Sequence, residues 1–316
     1  MRGKRVIGAF LFAVVVLLNI TTVRDADTWL HLKTGELIWR EGIPRTDPFS
    51  FVIGGSPWIT FEWLSQALFF KIFEVLGAAG LTGFVALVVG AAFLAAWSVN
   101  RDRPLWSAAV VLAAALGSRA WFIERPFVFD YLFAAGMLAA FWNVRFREPP
   151  GRLRWTLPLA VVLWANLHGG AAALGPALIA LSVAAERLRD REVPLWDWAP
   201  VVLLACAGIL VNPHGPGVLA HLWETMTFAG KDLLYEWHAP TSQFLGIYGL
   251  FLLGGAAALL PTVRRRPFAA AWLIAFAAAS LRMQRNIPLY LLAAAPVIAG
   301  AYGPGLRTEG RRRKGK

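Results

Sequence analysis

Cysteine is almost missing: one residue, Cys206, in a chain of 316, so no intrachain disulfide can form and the redox compartment cannot be read from it. Charge is scarce at 16%, and acids are scarcer than bases, with 19 Asp and Glu against 31 Lys and Arg. No Walker loop, no dinucleotide-binding glycine fingerprint and no Cys/His zinc spacing occurs. These gaps exclude a cytosolic nucleotide-sugar enzyme and an ATP-driven pump. Inside the apolar runs the one acidic charge is Asp130, near an end of its run, which disfavours an ion-coupled transporter.

What the chain has is hydrophobicity. An apolar share of 58% exceeds the roughly one half of a soluble domain, and the residues concentrate in ten runs: 6–23, 79–99, 105–118, 126–144, 156–168, 171–185, 198–211, 244–263, 268–281 and 287–303. At about 1.5 Å per residue the first run crosses most of a hydrocarbon core of roughly 30 Å. Arg2, Lys4 and Arg5 could open a signal peptide, but no small-residue cleavage site follows and many more runs do. The expectation is an all-α polytopic transmembrane protein of about ten spans, one membrane domain over 1–306 and a basic cytoplasmic tail over 307–316.

Net charge of +12 would suit nucleic acid only if the basic residues formed one footprint. They do not. With the N-terminus inside, most Lys and Arg fall in inner segments: the first five residues, Arg101 and Arg103, Arg145 to Arg154, Arg187 to Arg191, Arg264 to Arg266 and the tail. The positive-inside rule is met loop by loop, so membrane lipid is the expected partner and nucleic acid is not. Outer segments collect Asp25, Asp27, Glu36, Glu41, Asp47, Glu62, Glu74, Glu124, Asp130, Glu224, Asp232 and Glu236, with all five histidines. The rule that places Lys and Arg says little about His, so a functional outer face is expected.

Residues 24–78 form the longest outer loop, with turn signals at Gly42-Ile-Pro44, Asp47-Pro48 and Gly54-Gly-Ser-Pro57. The spacing predicts a helix over 28–40 capped by Asp27. Residues 61–76, interrupted by Lys71 and Glu74, read as an interfacial helix; if they crossed there would be eleven spans, and every later basic loop would flip outward. Runs 105–118, 156–168 and 171–185 are shorter than the roughly 20 residues a span wants, and their outer ends are polar or glycine-rich. Such ends predict a wet cavity sunk into the outer leaflet.

Asp25-Ala-Asp27 is a D-x-D, weak alone. One aspartate would cap a helix in the bland reading; in the functional one, Asp25 or Asp27 accepts a proton from an acceptor hydroxyl while the other orients it or binds a divalent cation. His31 shares the helix face of Asp27, and these two are candidate metal ligands for Mg or Mn, although two ligands do not make a site. Glu62, beside Trp63, is either an interface anchor or a second catalytic or metal-binding carboxylate facing Asp25 and Asp27. Arg119, Arg125, Arg282 and Arg285 would ordinarily snorkel to headgroups, yet four guanidiniums on the face poor in positive charge suit a phosphate. His168 and His214 each close a short helix beside glycine, as C-terminal complement to the dipole or as phosphate or sugar contacts. His238 lies on a loop.

Together Asp25-Ala-Asp-Thr-Trp-Leu-His31, Ile43-Pro-Arg-Thr-Asp-Pro-Phe-Ser50, Glu62-Trp-Leu64, Asn166-Leu-His-Gly-Gly170, Asn212-Pro-His-Gly215 and Arg285-Asn-Ile-Pro288 resemble a group of bacterial membrane proteins of the GT-C class of glycosyltransferases, over residues 6–301. That class includes protein mannosyltransferases, oligosaccharyltransferases and lipid A aminoarabinose transferases. The resemblance implies transfer of a sugar from a polyprenyl-phosphate-linked donor to a glycan, lipid or protein acceptor on the outer, periplasmic face of the bacterial cytoplasmic membrane, with both termini cytoplasmic. It places the base or metal ligand on Asp25 or Asp27. Many relatives carry an outer soluble domain where this chain has a basic tail. Two other readings use the same cavity: a lipid-linked saccharide flippase, or an O-antigen-type ligase relying on Arg and His.

Overall fold

The computed structural model describes residues 2–302, with the side chains of Lys231 and Asp232 left aside; the predicted tail 307–316 lies outside the described residues. Twelve α-helices follow in order: α1 Arg2–Asn19, α2 Asp27–Glu41, α3 Trp63–Ser98, α4 Pro104–Ser118, α5 Val128–Trp142, α6 Leu153–Leu167, α7 Leu174–Arg189, α8 Leu195–Ile209, α9 Gly217–Thr227, α10 Leu245–Arg265, α11 Pro267–Arg282 and α12 Ile287–Tyr302. Among the described residues there is no strand, only a bridge between Thr46 and Pro57 inside the first long loop. Each of the ten apolar runs has become a helix or the arm of one. The boundary drawn between 76 and 79 is real: Gly77 breaks α3 at φ 66°, ψ −164°, a left-handed φ open to glycine.

Three helical stretches, Trp63–Ser98, Gly169–Arg189 and Ser242–Arg265, are long and apolar enough to cross a membrane; α5, α6, α8 and α11 are apolar and shorter. Helices that are apolar on their outward side as well as their inward one suit a lipid surrounding rather than water. Phe10, Leu159, Leu203, Leu250 and Leu253 are each more than 60% exposed. The chain therefore reads as a membrane protein. Its core is built round α12, buried from Ile287 to Val297 and packed on α4, α10, α11, α5 and α3. Aromatic rings fill the rest, with Phe141, Phe146, Trp198, Phe268 and Trp272 in mutual contact.

The two ends of the bundle differ in chemistry. At one end arginines and lysines meet scattered acids and carbonyls: Lys4 with Asp102, Arg147 with Asp190 and Glu192, Arg189 with the Arg265 carbonyl, Arg266 with the Trp142 carbonyl. At the other end converge the loop before α3, the α4–α5 and α6–α7 connections, α9 and the α11–α12 turn. That second end, called the loop end below, carries the cavity.

Candidate active site

Asp25 and Asp27 open α2, though not as expected. Ala26 occupies the cap position and makes no side-chain cap bond; the Asp25 carboxylate accepts the Asp27 N–H at 2.9 Å. The predicted cap of Asp27 is thus performed by Asp25, because Asp27 is turned toward Arg125. One turn later His31 is 7% exposed. Helix α2 lies hard against α3: a Cβ on Gly35 would stand 2.1 Å from the Gln66 carbonyl oxygen, and Trp39 Nε1 donates to the Ala67 carbonyl at 2.9 Å. This fit sets His31 Nδ1 3.2 Å from Gln66 Nε2 and 3.5 Å from Glu62 Oε2.

Glu62 immediately precedes α3 and makes no side-chain cap bond, so its carboxylate faces the cavity instead of the helix end. The start of α3 is tied to the end of α6: Gly169 N donates to the Phe61 carbonyl at 3.0 Å, Trp63 Nε1 to Asn166 Oδ1 at 2.8 Å, and Ser65 Oγ lies 2.7 Å from the Leu167 carbonyl. These ties bring His168 Nε2 to 3.3 Å from Glu62 Oε1. Behind it, His168 Nδ1 lies 2.7 Å from Asp130 Oδ1, which also accepts Trp164 Nε1 at 2.7 Å. A buried chain results: Trp164, Asp130, His168, Glu62, His31, Gln66.

Two arginines stand beside this chain. Arg125 pairs with Asp27, with Glu236 Oε2 at 2.8 Å and more distantly with Asp25 at 3.8 Å. Arg285 Nη1 donates to Glu236 Oε1 at 3.1 Å, and its guanidinium lies 5.6 Å from the Trp237 ring centre. Glu236 thus joins the pair. The cavity between chain and arginines has a volume of about 450 Å³ and is lined by His31, Glu62, Arg125, Asp130, His168 and Arg285, with Phe61, Leu222, Met226 and Leu289 among its apolar walls. His221 stacks on Phe61 at 4.4 Å.

Burial holds the His31 imidazole below its ordinary pKa, more strongly than neighbouring Glu62 raises it. The His31 tautomer with its proton on Nε2 accepts the Gln66 amide through Nδ1, and the Nδ1–H tautomer donates to Glu62 Oε2 instead. For Arg125, burial alone would lower the pKa; Glu236, Asp27 and Asp25 outweigh it and keep the guanidinium above its ordinary value. Burial raises Glu124, whose Oε1 accepts the Thr82 hydroxyl at 3.0 Å.

Of the predicted site residues, Glu62, Arg125, His168, Arg285 and His31 are brought together. Asp25 and Asp27 do not line the cavity; Asp27, with a side chain 49% exposed, reaches it only through Arg125. Arg282 is exposed and lies off the cavity wall, turned away at the last residue of α11, and Arg119 borders a different cavity. His214 is a loop brace, with Nε2 accepting Thr60 N–H at 3.1 Å and Nδ1 3.2 Å from Arg45. His238 accepts the Gln284 N–H on its backbone carbonyl at 2.8 Å. Of the Asp27–His31 pair, Asp27 is engaged by Arg125 and His31 faces Gln66, and among the described residues no group of three or more His, Cys, Asp or Glu is arranged to hold a metal.

The fold is similar to that of an archaeal oligosaccharyltransferase. That protein, AglB from Archaeoglobus fulgidus, was solved in complex with an inhibitory peptide and a dolichol-phosphate; the TM-score is 0.62 at 13% identity, over 93% of this chain and 50% of that one. The chain thus spans half the length of its structural neighbour. No protein-family model matches it, and no curated protein does.

Sequence reasoning counted Asp130, Glu236 and His221 as part of the outer face without assigning them to the site, and it passed over Gln66. Asp130 carried a signal, as the one acid inside an apolar run. Glu236, on a loop beside Trp237, carried none beyond its place among the outer acids.

Proposed function

We propose that the chain is a membrane glycosyltransferase of GT-C type, moving a sugar from a polyprenyl-phosphate-linked donor to an acceptor hydroxyl at the loop end. The observation that carries this reading is that one cavity presents a buried carboxylate, Glu62, and a guanidinium, Arg285, with donors to spare, since its one ion pair among the described residues is with Glu236. An oligosaccharyltransferase-like fold supports it.

In this reading the acceptor oxygen attacks the anomeric carbon as the bond from that carbon to the phosphate oxygen breaks. The lipid phosphate leaves with the bonding electrons, and Glu62 takes the acceptor proton. Direct displacement inverts the anomeric centre. Asp130 fixes the His168 ring through Nδ1, and His168 Nε2 in turn orients Glu62. Arg285 meets the charge growing on the departing phosphate, where fixed donors in a dry site count most. Arg125, already paired with Asp25, Asp27 and Glu236, positions Glu236 and through it Arg285. This reassigns the aspartates from base to support.

The loop end then faces the periplasm, with the N-terminus in the cytoplasm of a bacterial cell. A flippase would need a polar path to the other end, and the residues lining this cavity come from the loop end. Reconstituted protein supplied with a labelled polyprenyl-phosphate sugar tests the assignment. Arg285→Gln should lower kcat/KM for the donor at least about tenfold, the scale of one lost charge-assisted contact. Wild-type protein that moves intact donor across the bilayer without releasing polyprenyl phosphate would make it a transporter.

A further inference from the structure

The loop end holds a second cavity, of about 510 Å³, which shares no lining residue with the first. Its walls come from the last turn of α1 with the strand of chain behind it, and from the short 3-10 turn after α4. Leu18, Phe122 and Ile123 supply apolar surface; Asn19, Arg24 and Arg119 supply polar groups. Unlike Arg125 and Arg285, each matched by carboxylates, these two arginines have no acid among the lining residues and form no ion pair among the described residues. Arg24 makes only a 3.5 Å contact with the Thr22 hydroxyl.

Asn19 gives the independent sign of a ligand. It is 2% exposed, and neither its Nδ2 nor its Oδ1 has a hydrogen-bond partner. A buried amide lacking both bonds is costly and uncommon in a folded protein. An acid would pair the arginines but leave the amide oxygen unmet; a phosphate bearing a hydroxylated headgroup meets both once the Asn19 amide, whose polar atoms are closed to solvent, turns onto the cavity it borders, since the phosphate oxygens accept from the guanidiniums and the amide N–H while a headgroup hydroxyl donates to Oδ1.

We propose that this cavity is a phosphate-binding site, and that the phosphate is borne by a lipid whose chains lie along Leu18, Phe122 and Ile123. A free phosphate ion would gain nothing from those apolar walls, and a span end at headgroup depth is where a phospholipid phosphodiester sits. The site stands on its own geometry and does not depend on the transfer chemistry of the first cavity.

The test uses the full chain in mixed phosphatidylcholine and phosphatidylglycerol nanodiscs, with native mass spectrometry counting the phosphatidylglycerol retained. Wild-type protein should keep one tightly held molecule at an enrichment of at least about tenfold over its mole fraction. Arg24→Gln with Arg119→Gln, both at exposed positions, should lose it at an unchanged melting temperature, whereas Arg145→Gln with Arg147→Gln at the opposite end should keep it. Asn19→Leu, which replaces the unpaired amide with an apolar group of similar size, should weaken retention several-fold. Equal retention by the Arg24 and Arg119 double variant would overturn the site, and displacement of the lipid by millimolar inorganic phosphate would overturn its assignment to a lipid.

Discussion

Glu62→Gln keeps the shape of the side chain and removes its charge. The backbone contacts of Glu62 survive, since its carbonyl still accepts Gln66 N–H at 3.0 Å and lies 2.8 Å from Ser65 Oγ. The His168 Nε2 that stands 3.3 Å from Oε1 still finds an acceptor in the glutamine oxygen. Folding should therefore weaken by only about 1 kcal/mol, the scale of one hydrogen bond made poorer. Proton transfer should suffer far more. A positioned general base contributes roughly 10²- to 10⁴-fold, so kcat should fall at least about 100-fold, or about 2.7 kcal/mol of barrier, while donor KM stays within about threefold. The assay follows release of free polyprenyl phosphate from labelled donor in reconstituted vesicles, beside a melting curve of the same preparation. A variant that melts like wild type and turns over within about threefold of it would refute Glu62 as the base.

Other consequences follow from the same contacts. Asp25→Asn and Asp27→Asn should each cost only a few-fold in rate, because their partly exposed pairs with Arg125 are worth about 0.5–1 kcal/mol after solvent screening; Asp27→Asn and Arg125→Gln should be non-additive in a double-mutant cycle. Asp130→Asn keeps an oxygen for the His168 and Trp164 donors but removes the charge behind the imidazole, and should lower stability by about 1–3 kcal/mol, with little further loss on adding His168→Gln. Gly35→Ala should force α2 off the Gln66 carbonyl, costing about 1–3 kcal/mol by overpacking and reducing kcat by shifting the start of α3, where Glu62 stands. Burial keeps His31, His214 and His221 below the ordinary 6.5, so at these three sites the unfolded chain binds more protons than the folded one: their contribution to stability should be full above about pH 6.5 and decline as pH falls below it, read as a smaller acid-side fall in melting temperature when all three are replaced by Gln.

Much of the architecture could be read from hydropathy. Ten apolar runs became helical stretches because a backbone surrounded by apolar side chains satisfies its own hydrogen bonds most simply as a helix. The break before Gly77 was visible because Lys71 and Glu74 changed the pattern just upstream. Segregation of all five histidines to one end foretold where the cavity would open. The pairing inside it was less legible. Asp25 and Asp27 stand out as a motif, yet which carboxylate faces the cavity depends on the α2–α3 contact at Gly35 and on Arg125, nearly 100 residues away. Arg282 and Arg285 were indistinguishable in sequence; the turn Gln284–Asn286 points one into the cavity and leaves the other on the surface. Glu236 matters because it bridges two arginines from different loops, a relation no local pattern records.

Lipids carried through purification give the most direct reading of the central claim. Wild-type protein exposed to donor and acceptor should retain discharged polyprenyl phosphate on mass spectrometry, and Glu62→Gln should retain the same lipid with its sugar still attached. Finding no polyprenyl phosphate on either protein, or the discharged lipid equally on both, would contradict the account.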